Sequence, residues 1–331
     1  MTRLRRVLTL ALLAGFAAVW AGCNVAHALD LTEQDRRALS VANSLIEQGR
    51  RPEGYSTLDS LLAASRQRGD PALRLAVLVT KGGHHSWAGE AREAEPLLQE
   101  AVQLAEAHRE SALYCQAAMW LGHSLLAQSR RAEAERLLRR ALPIAVEIGD
   151  REREGFMRMS LASVDLASGQ FEAARSGYET ARSLLRDAAN RFGELDALTG
   201  LGRAHQQLGD LGRARACYEE VADRARRSGL RENEADALNN LGGNEFLRGD
   251  PAVALGHLRA ALRIRQNLGN VFNMIIPATN IARALSELGR FDDAEACLDS
   301  LLVICHEQGY VDQQASILDA LASLCLERGD P

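Results

Sequence analysis

Apolar positions along the chain recur with a 40-residue period. One class reads Val41, Leu121, Leu161, Leu201, Leu241, Ile281 and Leu321. The next position is always small: Ala42, Gly82, Gly122, Ala162, Gly202, Gly242, Ala282 and Ala322. A second series holds Ala94, Ala134, Ala174, Ala214, Ala254 and Ala294. Four residues later come Leu98, Leu138, Tyr178, Tyr218, Leu258 and Leu298, and three further on Ala101, Ala141, Ala181, Val221, Ala261 and Leu301. Spacings of three and four place each series on one helix face. Small residues let helices approach, and the large ones fill the space between them.

Polar punctuation follows the same period. Glycine stands at 49, 89, 169, 209, 249, 289 and 329, with Ser129 breaking the series. A second set is Gly69, Gly149, Gly229, Gly269 and Gly309, with Arg109 and Ala189 as exceptions. Glycine suits the left-handed position that closes a helix. Asp70, Asp150, Asp210, Asp250, Asn190 and Asn270 follow, suited to accept from the first amides of the next helix. Pro71 and Pro251 then fit the first helical position, where a missing N–H is harmless. The first frame predicts helices over about 33–48 and 51–68. Continued in phase, the frames fall at about 31–70, 71–110, 111–150, 151–190, 191–230, 231–270 and 271–310, with an unpaired terminal helix over 311–328.

A large residue followed by Gly or Ala in the first helix, Gly at the turn, then Ala, a large residue and Ala in the second helix resembles the tetratricopeptide repeat. The 40-residue period is similar to the long-helix variety found in kinesin light chain and bacterial regulators. The resemblance implies an all-α fold, a right-handed superhelical solenoid of antiparallel helix pairs over about 31–330. Some positions depart from the pattern: Gly54 stands where Ala is expected, Lys81-Gly82-Gly83-His84-His85 is a poor helix former, and Asp165 replaces an apolar or aromatic residue. The first two repeats are therefore the weakest matches.

Composition narrows the function. At 47% hydrophobic but only 5% aromatic, the chain is apolar enough to fold and poor in strand-forming residues. Its 39 basic and 44 acidic residues leave a net charge of −5, with no electrostatic footprint for nucleic acid. The N-terminus carries Arg3, Arg5 and Arg6 before an apolar run from Val7 to Val19, which is short for a membrane span of about 20 residues. This pattern predicts an export signal, and its removal would take the charge to −8. Two processing sites compete. Trp20-Ala21-Gly22-Cys23 resembles a lipobox, with Cys23 as the lipidated residue and the signal as 1–22; Ala26-His27-Ala28 offers ordinary cleavage, with the signal as 1–28. The expected location is periplasmic or on the outer membrane of a Gram-negative bacterium, with membrane contact only through a lipid at Cys23.

Catalytic signatures are absent from the sequence, so no enzyme activity and no cofactor is expected. His84, His85, Trp87 and Glu90 are the one candidate metal cluster, but adjacent helical side chains diverge by about 100°, which argues against a metal site. Of the cysteines, antiparallel packing would bring only Cys297 near Cys325, and free thiols are the favoured expectation.

The binding surface is then expected along the first helices. The groove positions implied by the resemblance differ in chemistry between the halves of the chain. The N-terminal ones are Val79, Trp87, Met119, Trp120, His123, Phe156 and Met159, an apolar cluster read as interhelical packing ahead of an anchor pocket. The C-terminal ones are Asp196, Thr199, Arg203, Asp236, Asn239, Asn240, Thr279, Asn280 and Arg283. Asn amides can donate to and accept from an extended peptide, and the arginines can pair with carboxylates. These polar positions form the main candidate site for a protein or peptide partner. The competing expectation is the N-terminal sensor or recruitment arm of a larger signalling protein or CHAT-type protease, because Gly329-Asp330-Pro331 repeats the turn that launches a helix after Gly249-Asp250-Pro251.

Overall fold

A computed structural model describes residue 29 and residues 31–268, 271–308 and 311–328. The export segment with Cys23, the glycines at 269, 309 and 329, and Asn270 lie outside the described residues. Within them the chain forms fifteen helices and no strand. In chain order these are α1 (Glu33–Glu47), α2 (Arg51–Arg68), α3 (Pro71–Trp87), α4 (Ala91–Ala107), α5 (Ser111–Ala127), α6 (Arg131–Glu147), α7 (Arg151–Ala167) and α8 (Phe171–Asp187). They continue as α9 (Arg191–Gln207), α10 (Leu211–Ser228), α11 (Arg231–Leu247), α12 (Pro251–Leu268), α13 (Val271–Glu287), α14 (Phe291–Gln308) and α15 (Val311–Arg328). None of the described helices is long and apolar enough to cross a membrane.

The chain divides into two compact units, 1–200 and 201–331, with the division inside α9. In the first unit α1 to α8 each pack on their sequence neighbours, and the first helices of successive pairs, α1, α3, α5 and α7, also touch one another. The second unit repeats this scheme: α11 packs on α13, and α13 on α15.

The turns form as the polar punctuation predicts. Gly49, Gly69, Gly89, Gly149, Gly169, Gly209, Gly229, Gly249 and Gly289 all have positive φ. Asp70, Asp150 and Asp210 each accept from the amide three residues on, at 3.0 Å, and Asn190 accepts from Gly193 at 2.8 Å. The exceptions keep the same turn. Arg109, Ser129 and Ala189 adopt φ of 58°, 61° and 57°, a conformation that costs a side-chain-bearing residue about 1–2 kcal/mol. Helix packing on both sides outweighs that local preference.

In four of the pairs the small position of the first helix receives the large residue of the second. A Cβ on Gly82 would lie 2.6 Å from Cγ of Leu98, and one on Gly122 2.9 Å from Cδ2 of Leu138. In the second unit Gly202 meets Tyr218 Cε1 at 2.5 Å and Gly242 meets Leu258 Cγ at 2.5 Å. Leu98, Leu138 and Tyr218 are wholly buried and Leu258 is 1% exposed, each contributing about 1.5–3 kcal/mol of burial. The weakly matching early repeats pack as closely, in the first with the roles of the two helices exchanged. Gly54 is required because a Cβ there would meet Ile46 Cγ1 at 2.4 Å and the Ala42 carbonyl at 2.8 Å. The Lys81–His85 stretch is helical throughout α3, and its glycines are contact points rather than weak spots.

Gly202→Ala places a methyl group against a rigid, buried ring. Despite alanine's higher helix propensity it should lower stability by about 1–2 kcal/mol. Gly256 lies inside α12, where an added methyl group would have nothing within 4 Å, so Gly256→Ala should instead raise stability by about 0.4–1 kcal/mol. Urea unfolding of the two variants tests this; shifts of the same sign would refute the interlock.

Candidate functional site

In the first unit, the first helices of successive pairs enclose a cavity of about 90 Å³. Trp87 reaches it from α3, and Gln116, Met119, Trp120 and His123 from α5. From α7 come Glu152, Arg153, Phe156, Met159 and Ser160, and from the start of α9 Phe192 and Asp196. Trp87 and Trp120 stand at 85° with ring centroids 6.5 Å apart, and Trp87 lies 5.6 Å from Phe192 at 59°. Gly83 makes the wall possible: a Cβ there would sit 3.1 Å from Nε1 of Trp120. Ser86 pins the same segment by donating to the Trp120 carbonyl at 3.1 Å.

Polar groups frame this apolar interior. Gln116 is fully buried; its Oε1 accepts from Arg153 at 3.2 Å, while Nε2 has no hydrogen-bond partner among the described residues. Arg153 is also paired with Asp150, and Glu152 accepts from Asn190 Nδ2 at 2.8 Å. The apolar candidates Trp87, Met119, Trp120, Phe156 and Met159 are thus brought together, with His123 at the exposed edge. They line a cavity instead of filling one. Val79 is wholly buried in the core.

The polar candidates separate. Asp196 joins the cavity, and Thr199 is 8% exposed with its hydroxyl donating to the Leu195 carbonyl at 3.0 Å. In the second unit Asn280 Nδ2 donates to Asn239 Oδ1 at 3.1 Å, joining two successive first helices. Asn240 is half-buried, and Thr279 donates to its own helix at Ile275, 3.0 Å away. Asp236 is ion-paired with the buried Arg265. The Arg283 guanidinium lies 4.3 Å above the Phe246 ring, and Arg203 is exposed.

The segment from Gly193 through α12 carries the full alternation of small first-helix and large second-helix positions. Residues 193–267 match the tetratricopeptide-repeat family. No curated protein sequence matches the chain. Among solved structures, a Rap protein in complex with competence and sporulation factor superposes with a TM-score of 0.64 at 14% identity, covering 88% of this chain and 86% of that one. The apo quorum sensor NprR from B. thuringiensis gives 0.59 at 13% identity, over 86% and 80% of the two chains. A signal-transduction ATPase with numerous domains and a tetratricopeptide-repeat sensor, from Pyrococcus horikoshii, gives 0.59 at 16% identity, over 87% of this chain and 43% of that protein. These likenesses establish a tetratricopeptide-like helical-repeat fold.

Gln116, Glu152, Arg153, Ser160 and Phe192 were not among the expected site residues, yet the repeat register points to several of them. Gln116, Phe156 and Asp196 share one register, as do Trp120 and Ser160, and Glu152 and Phe192. Reading every residue at a tetratricopeptide groove position, apolar and polar alike, would have assembled the cavity.

The histidine cluster does not converge. His84 Nε2 lies 2.9 Å from Asn43 Oδ1, whereas His85 Nδ1 lies 2.7 Å from Glu90 and its ring stacks on Tyr55. Among the described residues no group of three or more His, Cys, Asp or Glu is placed to hold a metal, and Cys115, Cys217, Cys297, Cys305 and Cys325 are free thiols. Burial above all, then the nearby Arg51 and His85, push the His84 pKa down to about 3. The folded chain therefore keeps His84 neutral where an unfolded chain would protonate it. This stability is complete above about pH 6.5 and is lost progressively as the pH falls towards 3. Between pH 7 and 5 the loss should be about 2 kcal/mol, and His84→Gln should remove that share of the pH dependence. Urea unfolding of both forms at the two pH values measures it.

Proposed function

We propose that this tetratricopeptide-like protein is a non-enzymatic, exported scaffold that binds a protein partner, or an extended peptide segment of one, along its first helices. The cavity of the first unit carries the reading. It is open, walled by aromatic and methionine side chains, and bordered by a buried Gln116 amide with an unused donor. Leaving such a donor unpaired costs about 1–3 kcal/mol, and a peptide carbonyl would relieve it. In the second unit the Asn239–Asn280 pair retains a donor on Asn239 and an acceptor on Asn280 for a peptide backbone. The Rap structure, a protein of similar fold in complex with competence and sporulation factor, supports a bound partner. The Pyrococcus ATPase, whose repeats form a sensor, supports the related reading of a recruitment arm in a larger signalling protein.

Photo-crosslinking in cells tests the surface. A benzoylphenylalanine at Met159 or Asn240 should form a discrete adduct with the partner, while one at Arg136 or Arg263, exposed on second helices, should not. Equal labelling from both pairs of positions would overturn the assignment.

Export rests on the basic and apolar pattern of residues 1–28, and the lipid anchor on Cys23. We expect a mature N-terminus at a diacylglyceryl Cys23, with Cys23→Ala losing palmitate incorporation and membrane association. Mass spectrometry of the mature chain decides the site, because a terminus at Leu29 would mean ordinary cleavage.

A further inference from the structure

The cavity of the first unit is more specific than an apolar hole. Four aromatic rings, Trp87, Trp120, Phe156 and Phe192, line it from four different helices. The angles of 85° and 59° that Trp87 makes with Trp120 and Phe192 give the interior walls of several orientations, so an occupant meets ring surface from more than one side. Two carboxylates, Glu152 and Asp196, stand in the same lining. Arg153, the one arginine there, is already paired with Asp150 and bound to Gln116. The Glu152 carboxylate, hydrogen-bonded to Asn190, therefore adds negative charge to the π-electron density of the cavity. A purely aliphatic anchor would gain nothing from that carboxylate, and an anionic group would be repelled by it. An organic cation is attracted by both, by Coulombic interaction and by the ring quadrupoles, the latter contributing about 0.5–2 kcal/mol per ring contact.

We infer that this cavity binds the ammonium head of a lysine side chain, N-methylated or not, carried by the partner segment. The inference rests on the proposal that such a segment enters the cavity. The methylene stem of lysine would pack on Met119 and Met159. The Gln116 amide would take the adjoining backbone carbonyl, which gives its unpaired Nε2 a partner. One cavity would thus read a basic residue together with its backbone, and the partner's contact segment is expected to be basic, opposite in sign to the −5 charge of this chain.

The chain has three tryptophans, so in the full chain with Trp20→Phe the emission reports on Trp87 and Trp120 alone. Three probes are titrated: choline, its uncharged isostere 3,3-dimethyl-1-butanol, and acetyl-glycyl-Nε-trimethyllysyl-glycinamide. The two cations should change the emission saturably, and the isostere should bind about fivefold more weakly or worse. Glu152→Gln, which keeps an acceptor for Asn190, should weaken both cations by about fivefold with the urea midpoint unchanged. Should that variant unfold, Trp87→Leu, at a partly exposed position, should abolish the preference for choline over its isostere. Equal binding of choline and the isostere would make the cavity merely apolar and overturn the inference, as would no response to any probe. Choline binding without peptide binding would overturn the lysine assignment. The crosslinks at Met159 and Asn240 are read separately: adducts without cation binding sink only this inference, and cation binding without adducts sinks the partner surface.

Discussion

The close approach of two helices at a residue without a side chain, met by one large side chain from the opposite helix, is the contact on which every other feature depends. At Gly82, Gly122, Gly202 and Gly242 a methyl group would already stand within 3 Å of the partner residue. That distance sets the spacing of these four pairs, and the small position recurs every 40 residues, as Ala at 42, 162 and 282. Burial of Leu98, Leu138, Tyr218 and Leu258 supplies the apolar driving force. The glycines cost some backbone entropy, about 0.5–1 kcal/mol each, and the buried side chains exceed that cost. Because each pair closes on itself in this way, its remaining surface is left to contact the next pair.

Those contacts between pairs have a polar seam along the first helices. Asn43 meets His84, Ser86 the Trp120 carbonyl, Gln116 meets Arg153, and Glu152 meets Asn190. In the second unit Asn239 meets Asn280, and Ser286 meets Glu327. Apolar stacking alone would tolerate sliding, whereas a hydrogen bond is lost once the helices slide by about 1 Å. The seam thus fixes how one pair sits on the next. In the first unit it holds two of the cavity's borders, Gln116 with Arg153 and Glu152, in place, so the same bonds that align the stack also shape the candidate site.

The helices and their turns were legible because their causes are local and repeated. Asp70, Asp150, Asp210 and Asn190 cap the helices that follow them, as their positions after the turns imply. The turns at Arg109, Ser129 and Ala189 were not legible as left-handed residues, since nothing in those side chains favours positive φ and only the packing of the flanking helices enforces it. The Lys81–His85 stretch was read as weak helix from propensity, yet Gly82 and Gly83 are what Leu98 and Trp120 pack against. The site was half legible. Trp87, Met119, Trp120, Phe156 and Met159 line one cavity, but whether bulky side chains fill a space or line one depends on sub-ångström geometry that a periodic pattern does not encode. Gln116 and Phe192 belong with them through contacts between helices in different repeats.

A repeat of this kind separates the positions that make the fold from the positions that meet a ligand. The small and large interlocking positions scarcely vary: Gly or Ala on one helix, Leu or Tyr on the other. The groove registers vary freely. One reads Gln116, Phe156, Asp196 and Asp236, and another Met119, Met159, Thr199, Asn239 and Thr279. Substitution in these registers leaves the interlock untouched, so the first unit can hold an aromatic cavity and the second a row of amides on the same backbone plan. The exposed second-helix faces carry mostly solvated ion pairs such as Arg139–Glu135 and Arg224–Glu220, which contribute little to stability and change little when altered. Specific chemistry therefore concentrates on the first helices, where side chains from three or four repeats converge and a cavity can be enclosed by residues far apart in sequence.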